Sequence, residues 1–133
     1  MSVRLAVIEE SSMVARIFDS FLSGSPYKPF FFNSSPASLR LMLSEHFDLI
    51  IIPEFPVHQE VVVIAATIKA NPGFSRTGIV ISTNLQEKKL PGDWNDIEVD
   101  GILTKPFDRT ALLEVLDRAR SEERRVGKEC RSR

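Results

Sequence analysis

Three short apolar runs in this 133-residue chain are each followed or closed by side chains able to do metal or phosphate chemistry. Glu9 and Glu10 follow VRLAVI, Ser82 and Thr83 close GIVIST, and Lys105 follows GILT. Adjacent carboxylates offer the hard oxygen ligands that Mg²⁺ prefers. A metal and a lysine together neutralise phosphoryl oxygens, and a hydroxyl hydrogen-bonds one of them. This is the donor set of a magnesium-assisted phosphoryl-acceptor site, with one part missing. The acceptor would be a carboxylate at the end of a further strand. FDLIIIPEFP, residues 47–56, ends its apolar run on Pro53 and Glu54 instead. Proline offers no nucleophile, no metal ligand and no backbone donor.

The elements that must position these residues alternate strand and helix. Val3 to Ile8, Phe30 to Phe32, Leu49 to Ile52, Ile79 to Ser82 and Ile102 to Thr104 read as strands, rich in β-branched and aromatic residues. Ser11 or Ser12 caps a first helix with apolar positions Val14, Ile17, Phe18, Phe21 and Leu22, stopped by Gly24, Ser25 and Pro26. Ser35 caps a second, with Pro36 at its first position and Leu39, Leu41, Met42 and Leu43 as its apolar side. A third runs from about His58 to Ala70 and ends at Asn71-Pro72-Gly73. Pro91-Gly92 and sparse apolar residues leave a fourth helix short or broken. Asp108 caps the last, which buries Leu112, Leu113, Val115 and Leu116.

Five strands alternating with five helical segments predict an α/β fold. It is a doubly wound parallel sheet, flavodoxin-like, with right-handed crossovers. Ligands bind such sheets at the strand C-termini. That rule gathers Glu9, Glu10, Pro53, Glu54, Ser82, Thr83 and Lys105 around one crevice.

Length and composition fit one globular domain, with 43% hydrophobic and 26% charged residues. No apolar run reaches the roughly 20 residues of a membrane span, and the acidic start is not a secretory signal, so a cytoplasmic protein with no membrane partner is expected. Residues 120–133, RSEERRVGKECRSR, lack apolar periodicity and match the translation of a common short-read sequencing adapter. The expected organisation is one domain over 1–119 and a non-native tail over 120–133. The lone Cys130 then carries no meaning. The tail holds six of the 17 basic and three of the 18 acidic residues, so the remainder carries about −4, which argues against nucleic-acid binding.

The segments AVIEESSMVARIF, FDLIIIPEFP, IKANPGFSRTGIVISTN and DGILTKPF resemble the receiver domains of bacterial two-component response regulators, of the CheY-like type. The resemblance covers residues 3 to about 119, and Lys105-Pro106-Phe107 is its most specific part. It implies strand order 2-1-3-4-5 and a cis peptide before Pro106. It also implies that Glu9 and Glu10 take the positions of the metal-binding acids, Thr83 that of the switch hydroxyl, and Lys105 that of the phosphoryl-contacting lysine. Receivers carry the phosphoacceptor Asp five residues after an acid such as Asp48, and that position is Pro53. Other departures follow the same direction. Both acids are Glu, Asn84 follows Thr83 where a small residue is usual, Ile102 replaces a switching aromatic, and Pro56 comes one residue early.

The resulting expectation is a degenerate receiver in phosphorelay signalling that works by protein contact, without turnover. It has no required cofactor, and Glu9 and Glu10 are the only candidate ligands for Mg²⁺. Its partner is a histidine kinase, a fused output domain or another regulator. The face of the fourth helix, fifth strand and fifth helix would serve a homodimer. A rival is a phosphorylatable receiver whose acceptor is Glu54 or Thr83; a remoter one is a nucleotide-binding protein or enzyme, opposed by EESSM where a glycine-rich loop would stand. Simpler readings stand beside these. Glu9 and Glu10 would be solvated acids at a helix N-terminus, Lys105 would pair with Glu9, Glu10 or Glu54, and Glu54 would be a surface acid rather than a phosphate mimic. His46 and His58 read as structural or surface residues, Phe18 and Phe21 as core, and Trp94 as a partner anchor or a cover for the sheet edge.

Overall fold

The structure, a computed structural model, describes residues 2–53, 58–74, 76–83 and 99–120. Its strands are β1 (Val3–Ile8), β2 (Tyr27–Phe32), β3 (Leu49–Pro53), β4 (Gly78–Thr83) and β5 (Gly101–Thr104). Its helices are α1 (Ser12–Leu22), α2 (Pro36–Leu43), α3 (His58–Ala70) and α4 (Arg109–Ala119), with a 3-10 turn at Pro72–Phe74. The expected fourth helical segment and Trp94 lie outside the described residues, so α4 is the fifth segment of the sequence. All strand pairs are parallel and their order is β2-β1-β3-β4-β5. No helix among the described residues is long and apolar enough to cross a membrane.

Side-chain alternation divides the sheet into two cores. Ala6, Ile8, Ile50, Ile52, Ile79 and Ile81 pack with Met42, Ala65 and Ile68 of α2 and α3. Leu5, Val7, Leu49, Ile51, Val80 and Leu103 pack with Phe18, Leu22, Leu112 and Leu116 of α1 and α4. The caps read from the sequence form. Ser11, Ser35 and Asp108 accept from the amides of Val14, Ser38 and Ala111. Gly101 lets β5 run close beneath α4, since a Cβ there would stand 3.0 Å from Val115 Cγ1.

Three expectations are corrected. Ile17 is 41% exposed and Leu41 is 57% exposed, not core. Each lies about 100° around its helix from the buried Phe18 or Met42, and a helix packed on one sheet face buries only a stripe. The second strand starts at Tyr27, three residues before the expected Phe30, and contains Pro29. Val3 N–H donates to Pro26 O and Glu9 N–H to Phe32 O, both at 2.8 Å. The even-numbered backbone of β2 therefore faces β1, and the Pro29 nitrogen faces the open edge. An edge strand tolerates proline there, and loses a donor that a foreign strand would need.

Two aspartates clamp the strand starts. Asp48 Oδ2 accepts from Arg4 N–H at 2.9 Å while its own amide donates to Arg4 O. Asp100 repeats this between β4 and β5, taking the Ile79 amide at 2.8 Å. Tyr27, buried on β2, donates its phenol hydrogen to the Asp117 carboxylate on α4. Arg120, the first residue of the expected tail, closes α4 and sets its guanidinium 5.6 Å from the Tyr27 ring.

Burial, and then the hydrogen bond to Asp117, push the Tyr27 phenol well above its ordinary pKa of 10.0. A raised folded-state pKa means the folded state holds this proton more tightly than the unfolded chain. The associated stability is complete below about pH 10 and is lost as pH rises above it. Tyr27→Phe should cost about 1–2 kcal/mol at neutral pH, for one bond to a charged acceptor. It should also flatten the alkaline fall in urea-unfolding stability between about pH 8 and about pH 11. Equal alkaline slopes in the two proteins would remove Tyr27 as its source.

Candidate functional site

The C-terminal ends of the strands hold the site residues, and backbone continuity aims them. Beyond Ile8, Glu9 N–H extends the β1–β2 ladder by one step, so its side chain follows Leu5 and Val7 to the α1–α4 side. Pro53 and Ser82 are in-register partners on β3 and β4, and both are buried. Lys105 N–H donates to Thr83 O at 2.8 Å and carries β5 one residue further. The following Phe107 packs its ring 5.3 Å from Phe18 and 5.9 Å from Phe21, anchoring the Lys105-Pro106-Phe107 segment onto α1. The Lys105-Pro106 peptide is cis.

The alternation thus places Glu9, Pro53, Ser82 and Lys105 on one side of four neighbouring strands. Glu9 Oε1 lies 3.8 Å from Lys105 Nζ, with the side chains 10% and 27% exposed. The two long side chains come from β1 and from the end of β5, so their contact spans the ends of β3 and β4. Small residues at those ends, Pro53 and Ser82, leave room for it. A carboxylate at position 53 would compete for the ammonium; proline removes that competitor, and Glu9 supplies the counter-charge. Ser82 Oγ is buried and finds no hydrogen-bond partner among the described residues.

Glu10 takes a different path. It is exposed, and its Oε2 accepts from Ser34 N–H at 2.7 Å, in the loop between β2 and α2. Glu9 Oε2 meanwhile accepts from Ser11 N–H at 3.1 Å, at the cap of α1. The adjacent acids, expected to share one centre, serve two loops. Nothing in the sequence marked Ser34 as the partner of Glu10, because the contact joins residues 24 apart. Replacing Glu10 with Ala should speed hydrogen exchange at the Ser34 amide about tenfold while changing global stability by no more than about 0.5 kcal/mol. Unchanged exchange at that amide would show that the contact does not hold the loop.

Thr83 is 1% exposed and projects by alternation to the α2–α3 side, away from Lys105. Ile102 is half-buried on β5. His46 is exposed, its Nε2 3.9 Å from Asp48 Oδ1. Phe18 is core as expected, and Phe21 is half-buried. Glu54, Pro56 and Asn84 lie outside the described residues, as does the His58 side chain. Mg²⁺ requires several oxygen ligands at short range. Among the described residues no three of His, Cys, Asp and Glu form a group able to hold a metal. Glu9 and Glu10 are turned apart, so the described donors do not fit the ion.

The parallel order β2-β1-β3-β4-β5 has counterparts among solved structures. The fold is that of CheY-like receiver domains. A response regulator from Thermotoga maritima matches with a TM-score of 0.78 at 17% identity, covering 91% of this chain and 99% of that one. The chemotaxis response regulator CheY4 of Vibrio cholerae matches at 0.76 and 20% identity, covering 90% and 99%. The receiver domain of the sensor histidine kinase PA1611 from Pseudomonas aeruginosa matches at 0.69 and 19% identity, covering 90% and 98%; it has magnesium coordinated in its active-site cleft. No protein-family model and no curated protein matches the sequence. This chain carries the receiver fold, with Pro53 buried at the end of its central strand.

Proposed function

We propose that this chain is a degenerate receiver domain of two-component signalling, which acts through protein contacts and takes no phosphoryl group at position 53. The reading rests above all on Pro53. It fills the end of β3 facing Ser82, where a receiver would present its acceptor carboxylate, and it has no atom to accept a phosphoryl group. Two further features support it. The lysine that would meet the phosphoryl oxygens faces Glu9, and Glu10 is engaged by the Ser34 amide. The site has become a set of internal contacts.

In this reading residues 1–119 are the signalling module, and it performs no catalytic turnover. Partners of matching chemistry are a histidine kinase, an output domain or another regulator. The docking face combines the fourth helical segment of the sequence, which lies outside the described residues, with β5 and α4, and carries Ile102 in place of the aromatic that a switching receiver would rotate. The same face would serve a second copy. The location is the cytoplasm of a bacterium, where such relays operate.

The test is incubation with Mg²⁺ and a small acyl phosphate, followed by intact mass. No stable gain of a phosphoryl group is expected. A site-specific gain of one group would overturn the reading in favour of another acceptor. Thr83 is a poor candidate for that role because its side chain is buried. Peptide mapping of any modified protein would separate it from Glu54.

A further inference from the structure

No further inference is drawn: the strongest candidate, the apolar surface along the open β2 edge of the sheet where Met13, Ile17, Phe30 and Phe31 stay exposed, carries nothing because no feature of the structure shows what covers it.

Discussion

Pro53→Asp is expected to make the stability of this domain depend on Mg²⁺. Position 53 is buried and shares its side of the sheet with Glu9 and Lys105. An aspartate there adds a second carboxylate to a group with one ammonium, leaving a net negative charge in a poorly solvated place. Uncompensated buried charge is costly, and partial neutralisation by Lys105 limits the loss to about 1–3 kcal/mol without a divalent cation. The new carboxylate also stands beside Glu9 as a second anionic oxygen ligand that the parent lacks, with water filling the other positions of a bound Mg²⁺. Mg²⁺ at roughly 100 times its Kd would then return about 2.7 kcal/mol. Thermal unfolding with and without Mg²⁺ measures both effects. The variant should melt lower than the parent in chelator and recover with the cation, whereas the parent should be indifferent to it. A variant equally indifferent to Mg²⁺ would show that Pro53 is not what keeps the cation out.

Phe47→Ala should be the most damaging single truncation. Phe47 is fully buried just before β3 and stands edge-on to Phe30 at 5.7 Å and Phe32 at 5.6 Å. The Arg4 guanidinium lies 4.8 Å from its ring and from the Phe30 ring, and is held by Glu45 at 2.6 Å. One ring therefore joins the edge strand β2 to the centre of the sheet. Its removal loses about 3–5 kcal/mol of burial and packing, plus the aromatic contacts. For a domain of this size that lowers the melting temperature by on the order of 10–20 °C. Conversely, Met13→Ala, at a residue 71% exposed, should move the midpoint by less than about 2 °C. A small loss at Phe47 would mean that the β2 edge is held mainly by its backbone ladder.

The contrast between these two sites shows how far the sequence could be read. The strand runs were legible because buried parallel strands need unbroken apolar, β-branched segments, and Ile50, Ile51 and Ile52 leave little alternative. The caps were legible because a serine or aspartate before an apolar periodic stretch satisfies an otherwise orphaned amide. β2 extends three residues before the expected Phe30 and takes in Pro29, which a central strand would not accept. Only its place at the edge, with its nitrogen turned outward, makes it acceptable. Ile17 and Leu41 looked like core because periodicity counts apolar residues without knowing how wide a stripe the sheet will cover.

The sequence by itself determined that Pro53 follows the apolar run Leu49 to Ile52, and hence that no carboxylate stands there, since side-chain chemistry is a local property. It also determined the parallel doubly wound architecture, because alternating strand and helix segments have few other ways to bury their apolar faces. Which acid faces Lys105 was decided only by tertiary structure. Glu9 and Glu10 are chemically identical neighbours. Glu9 is directed inward because its amide continues the β1 ladder, and Glu10 is drawn outward by the Ser34 amide. Contacts between residues 24 or 96 positions apart depend on where the sheet brings strands together, which local pattern does not specify.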